Sequence, residues 1–170
     1  MTDDSSLRAT EVTRTFGDVT ALSAVSMSVP PGDVVALIGP NGSGKTTLLR
    51  VLAGLLSPTS GTVDYEGPDA VRPLGYLPQE PTFRPGFTAR ETAAFYARLV
   101  DDDPDTLLDR VGLGGVADRR VEALSGGMTR LLGIAQALAG APPVLALDEP
   151  ASGLDPAMSE LVFDIVDGLA

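Results

Sequence analysis

The segment Asp33-Val34-Val35-Ala36-Leu37-Ile38 runs directly into Gly39-Pro40-Asn41-Gly42-Ser43-Gly44-Lys45-Thr46. The first six residues form an apolar, β-branched run of the kind that fills a buried central strand. The next eight place Gly39 first, Gly44 before Lys45, and Thr46 last, which is the P-loop pattern between a strand and a helix. The residue types have a physical reason. Glycines let successive backbone N–H groups turn inward around phosphate oxygens. The helix that follows points its positive dipole end at the same anion. Lys45 then reaches the β- and γ-phosphates, and the Thr46 hydroxyl ligates Mg2+.

Outward from this loop the pattern alternates. Residues 7–15 and 21–29 read as two strands around the turn Phe16-Gly17-Asp18, an antiparallel opening that Pro30-Pro31-Gly32 ends. Residues 45–56 have helical apolar spacing. Residues 61–65 and 74–77 read as strands. Thr88 with Glu91 three residues on is a capping box before a helix over 93–100, and a second helix covers 106–111. Residues 128–139 form an apolar helix stopped by Pro142-Pro143. Residues 144–147 are a buried strand, and 156–169 a last helix. Strands alternating with helices around glycine-rich turns predict an α/β fold with a largely parallel core sheet.

The 170 residues fit one domain. They contain no Cys and no His. That excludes disulfide frameworks, thiolate or imidazole metal sites, and His-based acid–base chemistry. Any metal is a hard cation on oxygen ligands, with Mg2+ first, and any general base is a carboxylate. The 12 Lys+Arg against 23 Asp+Glu give a net charge of −11, which opposes binding to nucleic acid. Eleven of the basic residues are Arg and only Lys45 is Lys, while Asp outnumbers Glu 16 to 7. A salt-rich cytoplasm and a GC-rich genome each account for part of this bias. The N-terminus has no basic or apolar signal region and no apolar run approaches a membrane span, so a cytosolic chain is expected.

Two further elements carry chemistry. Val144-Leu145-Ala146-Leu147-Asp148-Glu149 places paired carboxylates at the end of a buried strand. There Asp148 can hold Mg2+ through water and Glu149 can polarise an attacking water. Leu124-Ser125-Gly126-Gly127-Met128 precedes a helix and offers an anion-binding N-terminus.

Taken in order, these motifs resemble the nucleotide-binding domain of ATP-binding cassette (ABC) proteins. Residues 39–46 resemble Walker A, Gln79 in Tyr76-Leu77-Pro78-Gln79 the Q-loop, and 124–128 the LSGGQ signature with Met in the final position. Residues 144–149 resemble Walker B, and Ser152-Gly153-Leu154-Asp155 the D-loop. Phe16 stands where the family has an aromatic that stacks on adenine. The resemblance covers nearly the whole chain. It implies a P-loop NTPase core with an N-terminal antiparallel β-subdomain and an inserted helical subdomain. These would divide as 1–78 and 125–170 for the core with β-subdomain and 79–124 for the helical part.

The resemblance also implies roles. ATP and Mg2+ would be the cofactors. Gly39, Asn41, Gly42, Ser43, Gly44, Lys45, Thr46 and Thr47 would surround the phosphates, with Thr47 at the α-phosphate. Two such domains would pair head to tail, so that Ser125, Gly126 and Gly127 contact the nucleotide of a partner chain and Asp155 lies at the interface. Glu149 would be the general base. Gln79 would sense Mg2+ or water and couple to a transmembrane permease. Together these give an ATP-hydrolysing subunit on the inner face of the cell membrane, nearest to exporters of the ABC-2 type. A soluble ABC ATPase of translation or DNA maintenance, and a nucleotide-binding remnant without turnover, stay open as alternatives. The family pattern continues past the D-loop helix to a further strand and a switch histidine. This sequence stops at Ala170 without one, so a C-terminally truncated copy is expected.

Overall fold

The computed structural model describes residues 7–168. The acidic segment 1–6 and the final residue of the expected last helix lie outside them. The described residues divide into two compact units, 7–69 and 70–168.

The first unit is built on an antiparallel sheet of order β2-β1-β3, with β1 Leu7–Phe16, β2 Val19–Val29 and β3 Ser60–Tyr65. β1 and β2 form a hairpin, closing with Phe16 opposite Val19. Leu7 and Ala9 are buried two residues apart, as a strand requires, but the next buried residue is Val12. A bulge accounts for the extra residue: the register shifts between Ala9 and Val12, and Glu11 there has φ 48°. Hydroxyls replace the interrupted ladder, with Glu11 N–H donating to Ser26 Oγ at 2.9 Å and Ala24 N–H to Thr13 Oγ1 at 3.0 Å.

The first helix, α1, spans Lys45–Leu52 and buries Leu48, Val51 and Leu52, the i, i+3, i+4 face of an amphipathic helix. Gly44 starts it in the left-handed region at φ 93°, and a side chain there would sit 2.6 Å from the Ala21 carbonyl oxygen. Only glycine meets both conditions.

One expectation is overturned here. Residues 33–38 form no strand, and Val34 and Ile38 are 65% and 94% exposed. A β-branched run is held as a strand only where neighbours complete its ladder. Among the described residues the sheet of this unit consists of β2-β1-β3 and does not take up the run. Asp33 N–H instead turns back on the Pro30 carbonyl.

In the second unit, β4 Leu74–Leu77 and β5 Val144–Leu147 pair in parallel, from Leu74 opposite Val144 to Leu77 opposite Leu147. Helix α4, Gly126–Leu138, lies on β4 with almost no spacing. A Cβ on Gly75 would collide with the Ala137 carbonyl oxygen, and one on Gly133 would sit 2.7 Å from Leu77 Cδ1. Arg72 completes the end of α4, donating to the carbonyls of Gln136 and Ala137 at 3.2 and 3.1 Å. This places a cation at a helix C-terminus, where the last carbonyls lack partners.

Helices α2, Ala89–Ala97, and α3, Pro104–Arg110, pack on the other side of the core. Ala89, Ala93 and Ala97 make a buried stripe of small residues along α2. The capping box is formed as read from the sequence: Glu91 N–H donates to Thr88 Oγ1, and Thr88 N–H to Glu91. Asp103 caps α3, and the hydrogen bond from the Thr106 hydroxyl holds its carboxyl below the usual range. Helix α5, Pro156–Asp167, closes the unit with Val162 buried.

Two substitutions separate the contributions. Thr88→Ala removes one cap and lowers unfolding free energy by about 1 kcal/mol in urea titrations. Gly75→Ala forces a Cβ onto immobile backbone and costs more, about 1–3 kcal/mol.

Candidate functional site

The P-loop belongs to the first unit. Its 39–44 turn is tightened by Ser43 N–H donating to the Pro40 carbonyl at 3.2 Å, with Gly42 at φ 80°. The Lys45 ammonium reaches back across the loop and donates to the carbonyls of Gly39 at 2.8 Å and Pro40 at 3.0 Å. An ammonium has three donors, so the charge is held over the loop with capacity to spare. Asn41 is exposed, while Thr46 and Thr47 are half-buried in the first turn of α1. The ring of Phe16, 47% exposed at the end of β1, carries the Arg14 guanidinium 4.5 Å from its centroid. One face of that ring is therefore already engaged by a cation.

The second unit brings three expected residues together. Asp148 is 2% exposed just past β5, where its N–H continues the ladder to the Leu77 carbonyl at 3.0 Å. Its carboxylate receives a long hydrogen bond, 3.5 Å, from the Tyr76 hydroxyl. Glu149 follows at φ 50°, a left-handed conformation that costs a non-glycine residue on the order of 1 kcal/mol or more. Gln79 Nε2 donates to Glu149 Oε2 at 3.1 Å, so the amide and the carboxylate are a bonded pair.

The Ser-Gly-Gly turn opens α4. Ser125 is its N-cap and accepts from Met128 N–H at 3.2 Å. Gly126 is exposed and Gly127 half-buried, both in the first turn of the helix. Asp155 plays the same part for α5, accepting from Met158 N–H at 3.0 Å, with Pro156 at the first helical position. The two turns are neighbours, because a Cβ on Gly127 would lie 3.0 Å from Met158 Cγ.

The sequence reading missed Arg130. Arg130 is 8% exposed and donates to the Pro78 carbonyl at 3.1 Å. Burial works to lower its pKa, while the charges of Glu149, Asp148 and Glu80 work to raise it. The available signal was a single charge inside the otherwise apolar helix over 128–139.

Known proteins bear on this arrangement. A family model described as ABC transporter matches residues 22–152. The chain is similar to an uncharacterized ABC transporter ATP-binding protein, YxlF, of Bacillus subtilis. The identity is 45% over 155 residues, covering 86% of this chain and 52% of that protein. It is also similar to the lantibiotic transport ATP-binding protein SrtF of Streptococcus pyogenes, at 36% identity over 95% of this chain and 73% of that one. The Nod factor export ATP-binding protein I of Rhizobium etli is 36% identical, over 91% of this chain and 53% of its own length. The chain thus spans about half the length of two of these three relatives. Among solved structures, a dimeric ATP-binding cassette in a post-hydrolysis state with ADP and Pi superimposes at a TM-score of 0.82. It is 26% identical, over 94% of this chain and 81% of that one. A nucleotide-free cassette from an ABC transporter matches at the same TM-score with 29% identity, over 97% of this chain and 77% of that one. With the motifs in order, the α/β fold of a cassette and a family match over most of its length, this chain belongs to the ABC transporter ATP-binding family.

Proposed function

We propose that this chain is the ATP-binding and ATP-hydrolysing part of an ABC membrane transporter. The observation that carries the reading is the Gln79–Glu149 hydrogen bond beside a buried Asp148 at the end of a parallel strand. A carboxylate held by an amide, next to a second carboxylate that water barely reaches, suits a base that orients an attacking water.

The P-loop supplies binding. Backbone N–H groups of residues 39–46 and the α1 N-terminus cradle phosphate, and Lys45 exchanges its bonds to the Gly39 and Pro40 carbonyls for phosphate oxygens. Thr47 contributes at the α-phosphate. Phe16 is the adenine platform, with its free face as the stacking surface. Mg2+ fits the oxygen donors on hand, because it keeps waters and takes only one or two protein ligands beside phosphate. By the family resemblance, Thr46 and Asp148 would be those ligands, with Gln79 at the water side. When bound, Mg2+ neutralises charge on the β- and γ-phosphates.

Glu149 takes the proton from the water that attacks the γ-phosphorus. The bond from that phosphorus to the leaving oxygen of ADP breaks, giving ADP and phosphate. Ser125, Gly126 and Gly127 face the nucleotide of a second cassette, and Asp155 meets the partner beside them. The adjacency of the two turns through Met158 supports a shared interface. Segment 79–124 is the helical subdomain facing a permease, with 1–78 and 125–170 as core and β-subdomain.

Among the described residues no helix is long and apolar enough to cross a membrane. The family resemblance supports work at the cytoplasmic face, docked on a permease, and the net charge of −11 argues against a nucleic-acid partner. An export role is favoured by the name of the Nod factor export protein.

Lys45→Ala is expected to weaken Mg-ATP binding at least about tenfold in titrations with a fluorescent nucleotide. Unchanged affinity would remove the P-loop from the mechanism. Glu149→Gln should retain that affinity and lower steady-state phosphate release by about 100-fold or more. Binding without turnover by the unaltered chain would leave a nucleotide-binding protein and overturn the hydrolytic part.

A further inference from the structure

Among the described residues, Arg130 is the one basic group buried in the core of the second unit. A guanidinium taken out of water is costly unless its position is compensated. Compensation here comes from two directions. The Pro78 carbonyl accepts one of its N–H groups at 3.1 Å, and the charges of Glu149, Asp148 and Glu80 surround it. The Pro78 peptide leads directly into Gln79, whose amide holds Glu149. Arg130 itself stands on the second turn of α4, the helix that begins at Ser125. One side chain therefore touches the strand-to-loop junction before Gln79 and charges the space beside the carboxylate pair. It does so from the helix that carries the Ser-Gly-Gly turn.

A hydrophobic residue would fill this slot without the desolvation cost. What it would not do is fix the Pro78 peptide and restrain two adjacent anions. Asp148 and Glu149 repel each other, and Glu149 sits in a strained left-handed conformation. A cation on a rigid helix offsets the repulsion between them.

We propose that Arg130 is a positioning residue that locks the Gln79–Glu149 pair to helix α4, so that movement of the Ser-Gly-Gly turn is felt at the catalytic carboxylate. The kinetic consequence rests on the hydrolytic role of Glu149 proposed above. The structural consequence does not, and the two are tested separately.

The structural readout is the side-chain amide pair of Gln79 in 15N-resolved NMR spectra of the whole chain, assigned with Gln79→Glu. Arg130→Met preserves volume and removes charge and donors. It is expected to shift the Gln79 amide resonances toward free glutamine and to speed their exchange with water. A folded Arg130→Met with an unchanged Gln79 amide overturns the proposal. If that variant does not fold, Arg130→Gln, which keeps a neutral donor, carries the same expectation and the same overturning result. The kinetic readout is a split between parameters. Arg130→Met should lower kcat for ATP about tenfold, as outer-shell partners of such sites do, with KM within about twofold. Arg130→Lys, which keeps the charge, should restore at least about half of the loss. A rise in KM with kcat intact, or a Lys variant no better than Met, overturns the role. An unaltered chain without turnover would instead refute the hydrolytic reading, and the Gln79 amide would still decide the position of Arg130.

Discussion

The contact on which the second unit depends is the approach of helix α4 to strand β4. It is closer than ordinary side chains permit, because Gly75 faces the Ala137 carbonyl and Gly133 faces Leu77. That approach buries Leu77 completely and seals the pair β4–β5 under Leu131, Leu132 and Ile134. Burying each such side chain is worth roughly 1.5–3 kcal/mol. The chemistry follows from this packing. β5 can end at Asp148 with its carboxylate out of water only because a helix covers the sheet. Arg72 then ties the far end of the same helix back to the start of β4. Widening the α4–β4 contact by one methyl would displace both ends of the unit at once.

At the other end of β4 and β5, charge and strain replace apolar packing. Glu149 adopts φ 50° and is held there by Gln79. Such strain persists only where surrounding structure over-determines it. Here the constraints are the β5 ladder through Asp148 N–H, the Tyr76 hydroxyl on the Asp148 carboxylate, and the Arg130 bond to Pro78. These bonds hold the Glu149 carboxylate in one place within the fold.

The sequence showed most of the second unit. β4 and β5 were read with their observed boundaries, because each is a short apolar run between turn residues. The capping box at Thr88 was legible because both halves of it are local. The same reasoning failed for 33–38. Its composition states a preference for a buried strand, but a strand also needs a ladder, and ladders are set by tertiary pairing that composition does not record. Arg130 was missed for a related reason. A charge on an apolar helix face reads as an interruption until its partners are known, and Pro78 lies 52 positions away in the chain. The joining of Gln79 to Glu149, 70 positions apart, likewise came from the fold and not from spacing.

The charge of the whole chain sets one last condition on the site. A molecule at −11 repels a nucleotide at long range. Yet the Debye length at physiological salt is about 8 Å, and it shortens as salt rises. Beyond that distance the repulsion is largely screened, whereas contacts inside a loop are not. Binding must then come from groups within bonding reach: backbone N–H dipoles, a helix terminus and one ammonium. Lys45 is the only Lys among 12 basic residues, and it sits where a compact, flexible point charge can move from the Gly39 and Pro40 carbonyls onto phosphate. A guanidinium there would be a planar fork in place of a compact ammonium on a flexible stem. What sets the Lys at this position is the geometry of one loop, where its ammonium lies over the Gly39 and Pro40 carbonyls.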